Sequence, residues 1–198
     1  MKYKEIIECV PNFSEGRNTA VVEEIVKSIL SVDGVRVLDQ SMDVDHNRCV
    51  LTFIGSKSGV IKAAFESAKK AMELIDMTKH KGAHPRIGAT DVIPFIPVKN
   101  CTMDDCIQAA YKLGEQIGEK LNIPVYFYAE AAKIQERTDL SYIRKGNYEG
   151  LCENIFTDIS RKPDIGESKM HPTAGATVIG ARMPLIAFNV YLTTPEVS

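Results

Sequence analysis

An α+β fold built on an antiparallel sheet is predicted by three features of this chain. Short apolar runs bounded by Pro, Asn, Asp and Gly read as strands, and longer stretches with apolar residues at helical spacing read as one-sided helices. The two types follow one another as strand, helix, strand, strand, helix, strand. The second and third strands are close enough in sequence to pair as a hairpin.

Ile6 to Val10 is the first strand, ended by Pro11-Asn12, and it delivers Asn12, Ser14 and Glu15 to its end. Asn18 or Thr19 caps the first helix, whose apolar face is Val21, Val22, Ile25, Val26, Ile29 and Leu30. After the Asp33-Gly34 turn, Val35 to Asp39 is a second strand, and the polar loop QSMDVDHN leads to a third from Cys49 to Ile54. Gly55-Ser56-Lys57-Ser58 opens a second helix with Val60, Ile61, Ala64, Phe65, Ala68, Ala71, Met72 and Ile75 on one side. The fourth strand is VIPFIPV; Pro94 and Pro97 lack amide protons, so it is expected at a sheet edge or exposed to a partner. This order is the ferredoxin-like βαββαβ unit, with its helices packed on one face of the sheet.

Additional elements extend that unit. Thr102 and Asp105 form a capping-box pattern ahead of a third helix carrying Cys106, Ile107, Ala110, Leu113, Ile117 and Leu121, closed by Asn122 and Pro124. PVYFY is a fifth strand and Ala129 to Ile134 a helical turn. Arg137 to Gly150 is expected as surface helix or loop, and residues 158 to 177, rich in Gly, Pro, Ser and Thr, as a long loop. Leu185 to Leu192 is expected as a last buried strand.

With 198 residues, 44% of them hydrophobic, the chain can bury one sizeable core. A net charge of -2 with interspersed signs provides no broad basic face for nucleic acid. No apolar stretch is long enough to span a bilayer, and the polar start MKYKEIIE is unlike a signal peptide, so a cytoplasmic location is expected. The five cysteines form no CxxC pair and are odd in number, which favours free thiols.

Chemistry concentrates in HKGAHPRIGATD, His80 to Asp91, where Gly82, Pro85 and Gly88 prevent a regular element. His80 and His84, with Asp91, have a spacing that would suit a metal on a helix, but Gly82 and Pro85 interrupt that helix and no HExxH pattern or nearby cysteine completes it, so no metal is expected. An imidazole titrating near neutrality can take and return a proton, which makes His84 a candidate acid/base. The adjacent Arg86 offers bidentate hydrogen bonds to a substrate carboxylate. His46-Asn47-Arg48 could supply a further anion contact. The segment GESKMHPTAGAT, residues 166 to 177, has turn residues that let backbone approach a flat ligand, and lacks the glycine pattern of a nucleotide cradle.

ECVPNFSEGRN, HNRCVLTFIG, LIDMTKHKGAHPRIGATDVIPFIPV, IPVYFYAEAA and GATVIGARMPLIAFNVYL together resemble the formiminotransferase family, in its N-terminal subdomain, over nearly the whole chain. The resemblance implies transfer of a formimidoyl group between N-formimidoyl-L-glutamate and tetrahydrofolate in histidine degradation, with tetrahydrofolate as co-substrate. The family's catalytic histidine, in its HPR triplet, falls on His84. Charge and position make Arg86 and Arg48 candidates for the substrate carboxylates. The family's folate-contacting loop matches Gly166, Glu167, Ser168, Lys169, Met170, His171, Pro172, Thr173, Ala174 and Gly175; Ala174 stands where family members can carry tryptophan.

In the family a second subdomain follows and folate lies in the groove between the two. The resemblance therefore makes residues 1 to 198 an N-terminal subdomain whose C-terminal counterpart is absent from this chain, and little activity is expected of it alone. Apolar strand faces and the prolines of VIPFIPV suggest a surface that such a counterpart, or a second copy in a homodimer, would cover. Two other readings stay open: a non-catalytic folate-binding or interaction module that needs a partner, and a metal-dependent hydrolase.

Overall fold

Along the strand Arg48–Gly55, half-buried and fully buried residues alternate without a break, the mark of a strand whose two faces meet different neighbours. The computed structural model describes residues 4–185. Its sheet has seven strands: β1 (Ile6–Cys9), β2 (Asn12–Phe13), β3 (Arg36–Asp43), β4 (Arg48–Gly55), β5 (Thr90–Lys99), β6 (Val125–Ala129) and β7 (Thr177–Ala181). β1 and β2 are two pieces of one line, broken at Val10-Pro11, and both lie between β4 and β5. The spatial order is β3, β4, β1/β2, β5, β7, β6, antiparallel as far as β5 and parallel beyond it. The first part is the expected ferredoxin-like unit; the last two strands extend it.

Helices α1 (Thr19–Leu30), α2 (Lys57–Leu74) and α3 (Met103–Leu121) cover one face. Each starts where a side chain takes up free backbone amides: Asn18 accepts from Ala20 and Val21, Ser56 from Gly59, and Thr102 and Asp105 complete the capping box. Their apolar stripes meet Ile7, Phe13, Leu51, Phe53, Ile93, Phe95 and Phe127 in the main core. The other face of β5, β6 and β7 carries Val92, Tyr126, Tyr128 and Val178 and packs on Ile143 of α4 (Leu140–Arg144) and Leu151 of α5 (Asn147–Asn154). One-sided helix packing therefore holds for the first strands, and the added strands are covered on both faces.

Four expectations need correction. β5 is not an edge strand: it pairs with β1 and β2 on one side and β7 on the other. Its prolines are tolerated because of where they fall. The Pro94 carbonyl faces Val10 N, at the gap between β1 and β2, so its missing amide would also point into that gap. Pro97 lies past the last β5–β7 pair, Phe95 with Ala181, beside a bulge where Ile6 pairs with Lys99 and Ile7 with Pro97. With β5 inside the sheet, its prolines no longer support a homodimer surface.

β3 continues to Asp43, so half of the expected polar loop is strand. The expected long loop, residues 158 to 177, ends at Thr177 in β7, a fully buried strand that no expectation covered, and the stretch before it is pinned to the side of β6 away from β7 by Asp164 and Ile165, both bonded to Val125. Arg137 to Gly150 is not simply a surface segment. Arg137 is 5% exposed and pairs with Asp164 at 2.8 Å. The strand expected from Leu185 to Leu192 lies, from residue 186 on, outside the described residues.

Candidate active site

The carboxyl ends of β2 and β3 and the amino ends of β4, β5 and β7 share one end of the sheet, fixed by the pairs Asp43 with Arg48, Phe13 with Thr90 and Val92 with Val178. The His80–Asp91 loop is sewn to that end by backbone. Ser14 N donates to Ala89 O at 2.9 Å, Ser14 Oγ to Gly88 O at 2.7 Å, Ala89 N to Ala174 O at 2.8 Å, and Ala176 N to Ile87 O at 3.0 Å. Gly88 is required by this crossing, since a Cβ there would stand 1.9 Å from Ala176 O. Asn47, at φ 48°, joins two more segments by accepting from Gly16 N at 2.9 Å and donating to Lys81 O at 3.0 Å.

This framework sets His84 beside Arg48. The guanidinium NH1 lies 3.0 Å from His84 Nε2. A guanidinium can only donate, so Nε2 accepts and the imidazole is neutral with its proton on Nδ1. Burial, then the charges of Arg48 and Arg144, hold His84 down at about 4, with Asp43 opposing. The His46 ring stands edge-on to His84 with centroids 6.1 Å apart, and His46 Nδ1 is 2.8 Å from Asp43 Oδ2.

His80 plays another part. Its Nε2 donates to Asn47 O at 3.0 Å while Nδ1 accepts from Arg86 Nε at 3.2 Å, so both ring nitrogens are engaged and the ring is neutral. Burial lowers its pKa. Arg86 differs from its expected role as a free carboxylate contact. It is buried, and NH1 and NH2 grip the Glu149 carboxylate of α5 at 2.9 and 2.6 Å. Asp91 is 1% exposed, accepts from Ile87 N at 2.9 Å, and pairs with Arg144 of α4. Among the described residues no cluster of three or more His, Cys, Asp or Glu side chains is arranged to hold a metal ion.

Arg144 and Glu149 are the residues that sequence reasoning missed. Both sit in the stretch read as polar surface, and their partners are 53 and 63 positions away in the chain. A regular spacing could not have revealed them. What the sequence did hold was an arginine and a glutamate in the short segment RKGNYEG, without a recognisable pattern.

The loop from Gly166 to Gly175 divides in two. Gly166, Glu167, Lys169, Met170, His171 and Pro172, with Gly118 and Asn122 of the α3 end, line a cleft of about 460 Å³. Neither His84 nor Arg48 nor Arg86 lines it. Ser168 is half-buried beside these residues. Thr173, Ala174 and Gly175 instead fasten the loop: Thr173 O accepts from Met77 N at 2.8 Å, and Thr173 N and Ala174 N donate to His171 Nδ1. Ala174 is 2% exposed, and Gly175, at φ 74°, would put a Cβ 2.4 Å from Ile87 O. No helix among the described residues is long and apolar enough to cross a membrane.

Comparison with known proteins bears on this site. The family described as "Formiminotransferase domain, N-terminal subdomain" matches residues 6–182. Glutamate formimidoyltransferase of Streptococcus pyogenes serotype M1 is 47% identical over 193 residues, 98% of this chain and 64% of that protein. The enzyme of the same name from Thermoplasma acidophilum is 51% identical over 191 residues, 96% of this chain and 62% of its own length. Formimidoyltransferase-cyclodeaminase of Rattus norvegicus is 47% identical over 188 residues, covering 95% of this chain and 35% of that protein. The chain thus spans less than two thirds of the length of these relatives. On the extent of the family match and of these alignments, it belongs to the formiminotransferase family, as an N-terminal subdomain.

Proposed function

We propose that this chain carries the acid/base part of formimidoyl transfer between N-formimidoyl-L-glutamate and tetrahydrofolate, with His84 as the catalytic residue. The observation that carries the reading is the neutral imidazole of His84, half-buried and hydrogen-bonded at Nε2 by Arg48 at the end of the sheet. When the folate N5 attacks the formimidoyl carbon, N5 must lose a proton, and the departing glutamate nitrogen must gain one. A neutral imidazole whose Nε2 lone pair is released from Arg48 can take the first and return it in the second step. Arg48 is the candidate contact for a substrate carboxylate, and Arg144, held by Asp91, adds positive potential beside it. Arg86 serves this reading by orienting His80 and anchoring α5 to the loop.

The cleft between residues 166–172 and the α3 end is the candidate folate surface. The relatives extend well beyond the matched region, and the further segment is proposed to supply the opposite wall of the groove. Little turnover is therefore expected from the 198-residue chain alone. Adding the remaining segment of a relative in trans is expected to raise it.

The test is His84→Ala, assayed with tetrahydrofolate and formimidoylglutamate in that complemented form. Turnover is expected to fall by about a hundredfold or more, with folate affinity nearly unchanged. Undiminished turnover would remove His84 from the mechanism. The separation of the cleft lining from His84 also favours a second reading, a folate-binding module without catalysis. Under it, the complemented form binds folate and transfers nothing.

A further inference from the structure

Arg48 is, among the described residues, a cation without a counter-ion. Among the described residues no carboxylate lies within ion-pair distance of it, its Nε is buried without a partner, and NH1 reaches Asn12 Oδ1 only at 3.4 Å. Its short contact is the 3.0 Å bond to His84 Nε2. A half-buried guanidinium has given up part of its hydration and received only neutral acceptors in return, whereas a carboxylate would offer it two charged ones. The same contact occupies the imidazole lone pair that a proton would need.

The surrounding charges single out Arg48. The charged and titratable groups around His84 are Asp43 of β3, His46 of the β3–β4 turn, Arg48 of β4 and Arg144 of α4, while Asn12 of β2 touches Arg48. Arg144 is paired with Asp91, and His46 is hydrogen-bonded to Asp43. Arg48 is the charge in this set that has no opposite partner among the described residues.

Building on the role assigned above to His84, we propose that Arg48 is a carboxylate-operated latch on that base. An incoming substrate carboxylate draws the guanidinium off Nε2, so the contact that seats the substrate also frees the lone pair. A neutral analogue leaves the latch closed. Selectivity for an acidic substrate is then exercised on the base itself as well as on binding. Neutralising Arg48 also removes a charge that holds the imidazole pKa down, so an armed His84 titrates closer to its ordinary range.

The test is an NMR titration of the histidine ring signals of the 198-residue chain, with N-acetyl-L-glutamate as the probe and its neutral diamide as comparison. His84 is expected to move from about 4 toward about 6.5 with the acid and to stay in place with the diamide. Arg48→Met is expected to titrate above the wild type without any probe, still below the ordinary imidazole range because burial and Arg144 continue to act, and to ignore the acid. If that variant loses its dispersed amide spectrum, Arg48→Lys replaces it. The lysine variant is expected to keep a lowered midpoint and to respond weakly to the acid, since an ammonium makes no bidentate contact. A wild-type midpoint that stays put up to the solubility limit of the acid overturns the latch. So does an Arg48→Met or Arg48→Lys protein whose His84 behaves as in the wild type. None of these readings needs turnover, so the latch can fail while the His84→Ala assay stands, and the reverse.

Discussion

Arg86 and Glu149, 63 positions apart, meet in a two-pronged pair, NH1 to Oε2 at 2.9 Å and NH2 to Oε1 at 2.6 Å. The arginine is buried and the glutamate side chain is 63% exposed, so the pair lies across the boundary between the His80–Asp91 loop and α5. Through Arg86 Nε it also fixes the acceptor nitrogen of His80. Glu149→Gln keeps the shape and removes the charge. It is expected to cost about 1–2 kcal/mol, less than a broken buried pair costs, because water reaches the glutamate. Urea unfolding at neutral pH measures this.

The same pair has a pH signature. Arg86 lowers the Glu149 pKa below its usual 4.5, so the folded protein holds the ionised form more tightly than the unfolded chain does. That contribution is complete above the unfolded value and is lost as pH falls through the lower folded one. The stability gap between wild type and Glu149→Gln is therefore expected to be constant above about pH 5.5 and to close in acid below about pH 4.5. A gap that widens on acidification would show that Glu149 acts in some other way.

Asp91 and Arg144 should behave more severely, because both are withdrawn from water, with side chains 2% and 15% exposed. Asp91→Leu strands a guanidinium and leaves Ile87 N without its acceptor, so a loss of about 3–5 kcal/mol is expected. Replacing both as Asp91→Leu with Arg144→Met is expected to recover much of it, since a well-packed apolar pair can equal a buried ion pair. Denaturation midpoints of the single and double variants check this; a double variant as unstable as the single would mean that packing, not charge, is what fails.

Two glycines give opposite expectations. At Gly88 a Cβ would meet Ala176 O at 1.9 Å and Ala174 O at 2.7 Å, both backbone, and Gly88→Ala is expected to destabilise by about 3 kcal/mol or more. At Gly150, inside α5, nothing lies within 4 Å of the added methyl. Gly150→Ala is expected to stabilise by about 0.5–1 kcal/mol through helix propensity. Melting temperatures of the two variants should bracket the wild type.

The α3 capping box offers a local test. Thr102 Oγ1 accepts from Asp105 N at 3.2 Å, and Asp105 Oδ2 accepts from Thr102 N at 2.9 Å. Thr102→Ala is expected to cost about 1 kcal/mol, read from thermal unfolding.

That box was legible in the chain because both partners lie within one turn. So were the α1 face, the β3–β4 hairpin and the amphipathic α2. β5 was misjudged because two prolines argue for an edge only when a neighbour is known to need their amides. Here the neighbour is broken at Val10-Pro11 and the other proline lies past the last pair with β7. β7 was hidden because TVIGA is short, carries a glycine of its own, and owes its burial to the elements packed on it rather than to any periodicity of its own.

At the site, local sequence singled out the loop of His84 and the HNR triplet, since prolines, glycines and clustered side chains announce an irregular, chemistry-bearing turn whatever surrounds it. The element order and the one-sided helices likewise follow from spacing alone. Which arginine faces His84 and which is held by a glutamate was decided only by tertiary structure. Arg48 and Arg86 are equal as residue types, and what separates them is that β4 points one at the imidazole while α5 brings Glu149 to the other. Hydrogen bonds and ion pairs act over a few ångströms of space, and the sheet closes those distances between residues that the chain keeps far apart.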